Sequence, residues 1–261
     1  VSHFYTKTAS GIEPRHFVPM AKDPSRLRAS TVSDAKKARK NGEIWCPSVT
    51  TVLGILDKPA LNNWGIDEHL KTAFELLCDI SYQNNTAENY LENVKRITQE
   101  RLDAAPKAGT EIHQVLEVFM RDGIEPEGEI EKKICHNVRD KLLDVCGEQK
   151  WECEKYFVAE EGYAGCADLV SGEWVIDYKT KQTKDKFKPG KMAYPEHARQ
   201  LAAYQSGLPD VSGYCANIFI CLETGEIDFY EHSIDAISDG WLDFLDCLSI
   251  YKRNNFNPLE G

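Results

Sequence analysis

A mixed α/β fold, with a mixed central sheet flanked by helices and a helical lobe at the N-terminal end, is what the sequence predicts. Three observations carry that reading. Residues 163–179, YAGCADLVSGEWVIDYK, hold two short apolar runs, Tyr163–Val170 and Trp174–Tyr178, around a Ser171-Gly172 turn, the pattern of a β-hairpin. Tyr214–Leu222 and Glu226–His232 repeat the pattern around Thr224-Gly225. Segments with helical periodicity precede, separate and follow these strands. The order of helices, three strands, helix, two strands and helix implies antiparallel hairpins in a layer with helices packed on it.

Taken in order, residues 1–45 are polar with scattered apolar positions, and Ser33–Lys40 (SDAKKARK) reads as a short basic helix, either a solvated face or a DNA-contacting edge. Ser48 is placed to cap a helix over VTTVLGILD that Pro59 breaks. A second helix is expected from Leu61 to Leu77, with Leu61, Trp64, Leu70, Phe74 and Leu77 as its buried stripe, and a third over residues 88–104. Thr110 is expected to cap the next helix, which runs to Met120 and carries His113, Leu116, Glu117 and Met120 on one face. Residues 129–147 form another, amphipathic through Ile130, Ile134, Val138, Leu142 and Val145. The first strand spans Lys150–Ala159. Pro195 suits the first turn of a helix from Glu196 to Ser206, with Gln200 and Tyr204 one turn apart. A closing helix, Asp235–Arg253, buries Ile237, Trp241, Phe244, Leu245 and Leu248. Residues 1–104 are thus read as an extension and helical lobe, and 105–261 as the core.

Composition bounds the function. With 261 residues, 42% hydrophobic and 28% charged, the chain is long enough for a large core. No run approaches the roughly 18 apolar residues of a membrane span, so no membrane partner is expected. The polar start predicts no secretory leader. The nine cysteines form no C-x-x-C pair and read as reduced thiols of a cytoplasmic protein. The net charge of −11 argues against a broad basic footprint for nucleic acid. Between Lys179 and Arg199, however, six lysines and one arginine face only Asp185 and Glu196.

That excess follows directly on the chemistry-bearing hairpin. Asp168 lies on its first strand, and Asp177 and Lys179 at the end of the second. Strand alternation puts Asp177 and Lys179 on one face with Val175, while Ile176 and Tyr178 point away. An acid and a lysine on an apolar strand are costly without partners. Two acids and a lysine there suit a divalent metal with a cationic assistant; the alternative is an ordinary solvated ion pair beside an edge strand.

Four short motifs occur in order: Gly109…His113, Gly165…Asp168, Asp177…Lys179 and Gln200…Tyr204. In these the chain resembles the PD-(D/E)xK nuclease superfamily. It is most similar to the branch of RecB-type nuclease domains, lambda-type phage exonucleases and the mitochondrial genome maintenance exonuclease. The match covers roughly residues 105–232, and PSVTTVLGILDKP…LNNW is also like the N-terminal region of phage members.

The resemblance implies a restriction-endonuclease-like core and a Mg²⁺- or Mn²⁺-dependent DNA exonuclease that resects ends in recombination or repair. It implies His113, Asp168 and Asp177 as metal ligands, and Asp168, Asp177, Lys179, Gln200 and Tyr204 as catalytic. Lys181, Lys184, Lys186, Lys188 and Lys191 would form a mobile phosphate clamp on DNA. Glu154 is a candidate accessory acid and Glu117 a candidate partner of His113. Partners would be DNA ends, with one strand threaded, and a single-strand annealing or single-strand-binding protein, in a bacterial or phage-infected cytoplasm. No iron–sulfur cluster is expected, because the C-x-x-C-x5-C group of cluster-binding relatives is missing. The alternatives are a structure-selective endonuclease, or a nucleic-acid-binding protein whose nuclease site is vestigial.

Overall fold

The computed structural model describes residues 3–57, 59–79 and 86–256. The chain divides into two compact units, one made of Val1–Leu56 and Val115–Gly261, the other of Asp57–Gln114. This differs from the expected boundary at 104/105, because the first 56 residues group with the C-terminal half.

The first unit holds the sheet. Five strands, β6 (Glu152–Val158), β7 (Ala164–Val170), β8 (Trp174–Lys181), β9 (Tyr214–Cys221) and β10 (Ile227–Glu231), lie in the order β10-β9-β8-β7-β6. All pairs are antiparallel except β8 and β9, which run parallel from Trp174↔Tyr214 to Lys181↔Cys221. A parallel pair needs a crossover, and α6 (Pro195–Gly207) lies in it. Pro195 sits in the first turn of α6, where its missing N–H costs nothing. The closing helix α7 (Ile234–Asn255) packs on α6, with Ser233 Oγ accepting from Ala236 N as its cap. The crossing is tight at Gly240, where a Cβ would come within 2.9 Å of the Ala198 backbone.

The core between α6, α7 and the sheet includes Phe157, Tyr163, Val175, Leu201, Tyr204, Cys215 and Phe244. Helix α2 (Val49–Leu53), capped by Ser48 as expected, joins it through Val49, Val52 and Leu53. Helix α5 (Glu129–Cys146) buries Ile134, Cys135, Val138 and Leu142, whereas the outer positions of the expected stripe, Ile130 and Val145, are exposed.

The N-terminal 45 residues are more structured than their polarity suggests. Strands β1 (Phe4–Thr8), β2 (Gly11–Pro14) and β5 (Cys46–Pro47) form a small sheet, and β3 (Phe17–Pro19) pairs with β4 (Leu27–Ala29). The basic helix α1 (Val32–Lys40) follows. Its Asp34 carboxylate is gripped by Arg28 at 2.7 Å through both oxygens and accepts from Thr31 N.

In the second unit, α3 (Pro59–Cys78) corrects the expected stripe. Leu70, Phe74 and Leu77 are exposed, and the buried positions are Thr72 and Leu76; the side chain of Leu61 lies outside the described residues. Tyr90 Oη donates to Ala73 O and Arg101 pairs with Glu75 at 2.6 Å, so polar contacts hold this unit together. The two helices expected over 88–104 and 110–120 are one, α4 (Ala87–Asp122), which passes through Pro106. Thr110 is therefore mid-helix rather than a cap, and its hydroxyl donates back to Pro106 O at 3.0 Å.

Candidate active site at the parting of two strands

The ladder between β7 and β8 has two pairs, Leu169↔Ile176 and Val170↔Val175, and then stops. The next position in register sets Asp168 opposite Asp177. There Asp168 Oδ2 takes the Tyr178 N–H at 2.7 Å, so a side chain replaces the backbone partner the ladder would have supplied. Like charges opposite one another across two strands are destabilising, so the pair calls for a cation.

Lys179 is the cation the chain itself supplies. Its Nζ lies 2.5 Å from Asp177 Oδ2 and donates to Gln200 Oε1 at 3.1 Å. Gln200 Nε2 donates to Asp177 Oδ1 and meets Tyr204 Oη, both at 2.8 Å. Asp177 is almost fully buried and Gln200 and Tyr204 are buried, whereas Lys179 is partly open to solvent. Burial, with Asp177 and Asp168 nearby, pushes the Tyr204 hydroxyl well above the usual phenol range, so it stays protonated. Asp177, Lys179, Gln200 and Tyr204 thus share one network, and Asp168 binds the Tyr178 backbone N–H next to Asp177.

Sequence reasoning missed the other side of this network. Asn217 on β9 is opposite Asp177 in the parallel register, and its Nδ2 donates to Asp177 Oδ2 at 2.8 Å and Asp177 O at 3.2 Å. The Asn217 Oδ1 faces His232 Nε2 at 2.8 Å, which fixes that nitrogen as a donor. Burial lowers the His232 pKa to about 4, so the ring is neutral. The available signal was one fully buried amide within the apolar run YCANIFIC.

Gly165 has a steric reason to be glycine: a Cβ would meet the Phe157 ring at 2.7 Å and Tyr204 at 3.0 Å. Glu154 falls opposite Asp168 in the β6–β7 register but drops out of the ladder, with φ at +50°, and its Oε2 accepts the Cys166 thiol at 3.0 Å. Burial and Glu154 push that thiol far up, so it stays protonated. Glu117 is engaged by Arg121 one turn on.

His113 lies on α4 in the second unit, while Asp168, Asp177, Lys179, Gln200 and Tyr204 belong to the first. In the lysine-rich loop, Phe187 and Met192 pack on Phe219 and Cys221, and Gly190 N donates to Asp228. Lys184, Lys186, Lys188 and Lys191 are exposed on it, while Lys181 stacks its ammonium 5.8 Å from the Tyr194 ring centroid. Burial and the nearby Lys179 lower the Lys181 pKa.

Among the described residues, no three His, Cys, Asp or Glu side chains form a group able to hold a metal, and no helix is long and apolar enough to cross a membrane. The donor chemistry still fits a hard cation of one kind. Mg²⁺ is commonly held by one or two carboxylates, with water and substrate phosphate completing its shell, rather than by a full protein cage.

No family model matches the chain, and no curated protein matches it. Among solved structures it is similar to a protein from Eubacterium rectale named as a candidate exonuclease. The identity is 12% over 60% of this chain and 73% of that one, with a TM-score of 0.39. It is also similar to SSO0001, at 16% identity over 70% of this chain and 84% of that one, with a TM-score of 0.30. Likenesses this distant add nothing to the reading of the site, which stands on its own residues.

Proposed function

We propose that the chain is a divalent-metal-dependent deoxyribonuclease with a PD-(D/E)xK core, acting as an exonuclease on DNA ends. The observation that carries the reading is the Asp168–Asp177 pair where β7 and β8 part, with Lys179 held between Asp177 and Gln200. The mixed sheet, with its parallel β8–β9 step and crossover helix, supports it.

Asp168 and Asp177 are the residues that would hold Mg²⁺ or Mn²⁺; such an ion, when bound, lowers the pKa of water and polarises a phosphoryl group. His113 is proposed as a further ligand on the motif resemblance alone. Lys179, aimed by Gln200, can orient the attacking water or offset charge developing on the scissile phosphate. Asn217 and Gln200 clamp Asp177 from two sides, leaving it little rotational freedom. Tyr204, kept protonated, fixes the Gln200 amide. The exposed lysines of the 182–191 loop supply phosphate contacts next to this network. End resection in phage-type recombination or repair, a single-strand annealing or binding partner and a cytoplasmic setting belong to the same proposal.

Incubation with Mg²⁺ should release nucleotides from a linear end-labelled duplex and leave a covalently closed circle intact. Equal cutting of both would defeat the exonuclease assignment. Failure to cut either, with DNA still bound, would make this a binding protein.

A further inference from the structure

The first unit carries a cavity of about 490 Å³ whose lining includes Trp45, Pro47 and Phe256 together with Arg39, Lys252 and Arg253. Its volume is in the range of small-molecule and side-chain pockets. Carbon dominates its wall, and the buried Cys46 in its lining is kept a neutral thiol by burial. Its charged lining residues are Arg39, Lys252 and Arg253. Lys252 Nζ is held by Glu161 O, so this ammonium has a fixed position, while Arg39 and Arg253 are exposed.

We infer that this cavity binds an acidic peptide segment of a partner protein that carries one large apolar side chain, the side chain entering the cavity and its carboxylates meeting Arg39, Lys252 and Arg253. Charge complementarity selects this occupant. The protein is acidic overall, at −11, yet Arg39 lies on a helix that also carries Lys36, Lys37 and Lys40 and whose one acid, Asp34, is already neutralised by Arg28. On a repulsive background, a concentrated cationic lining is what allows an anionic chain to approach. The apolar wall decides between anionic ligands. A nucleobase entering it would leave its polar edges without partners, whereas an aromatic or leucine side chain loses nothing there. The Trp45 indole N–H is spent on Glu43 at 2.9 Å, so it offers no donor to a base.

The test is fluorescence anisotropy on the full chain with a labelled ten-residue peptide of Asp, Glu and Gly ending in Leu-Phe. Saturable binding is expected, weakened at least about ten-fold by Arg39→Glu, by Arg253→Glu and by replacing the peptide's Leu-Phe with Ala-Ala, and weakened by salt. Both arginines are exposed, so the variants keep their fold, checked by unchanged thermal melting. No binding by the unaltered chain overturns the inference, as does affinity indifferent to the two variants. Displacement by oligo-dT would make the cavity a nucleic-acid subsite instead. Binding that begins only after residues 257–261 are removed would make the chain's own end the occupant.

Discussion

Asp177 accepts on both carboxylate oxygens, from Gln200 on one side and from Asn217 and Lys179 on the other, so no isosteric amide reproduces it. In Asp177→Asn one amide nitrogen must face a donor. We expect a stability loss of about 1–3 kcal/mol in denaturant unfolding. Cleavage should fall by on the order of 10²-fold or more, with DNA binding retained. Lys179→Met should lose cleavage comparably and also lower stability, because it leaves the almost fully buried Asp177 carboxylate without its cation. Asn217→Leu should cost about 1–3 kcal/mol, since it strands both Asp177 Oδ2 and the His232 N–H. At this scale Asp177 and Lys179 were singled out by their place on an apolar strand, and Gln200 and Tyr204 by their spacing in a short helical motif. Asn217 was not, because a single buried amide in a strand belongs to no spacing pattern and its partner Asp177 is 40 residues away.

Elements were legible where local periodicity and burial agree. The succession of three strands, a helix, two strands and a closing helix, the Ser48 cap and the Gln200–Tyr204 turn follow from such patterns. Helix α3 misled because its apolar spacing is helical but Leu70, Phe74 and Leu77 are exposed; period alone does not say which face is covered. The single helix through Pro106 misled for the opposite reason, as proline and glycine signals yielded to the flanking helix. Steric demands are a further property of elements. Gly165→Ala pushes a methyl into Phe157 and Tyr204 and should cost about 1–3 kcal/mol, read as a lower thermal midpoint, with Lys179 geometry and cleavage disturbed in proportion. A purely local glycine effect would leave cleavage unchanged.

For the whole molecule, two neutral histidines, His232 buried and His3 half-buried, set the acid response. His232 and His3 are each lowered to about 4 from an ordinary 6.5, mainly by burial. Their unfolded forms bind protons first as the pH falls. Stability should therefore be full above 6.5, decline as the pH drops through the window from 6.5 to 4, and level off below it as far as these groups are concerned. His232→Gln should flatten that decline in chemical-denaturation midpoints measured across the window; an unchanged slope would remove His232 from the account. The charge pattern belongs to the same scale: an acidic protein with exposed lysines on the 182–191 loop should bind DNA more weakly as salt rises, with a shallow slope set by few phosphate contacts.

The proposed function returns to one demand, that two facing aspartates on parted strands be balanced by positive charge while a phosphodiester is cut. The direct test is the initial rate of cleavage of an end-labelled linear duplex, with and without added Mg²⁺, for the unaltered chain and for Lys179→Met. The account predicts nucleotide release that requires the ion and collapses in the variant. Release that persists in a chelator, or that the variant performs as well as the parent, would contradict it.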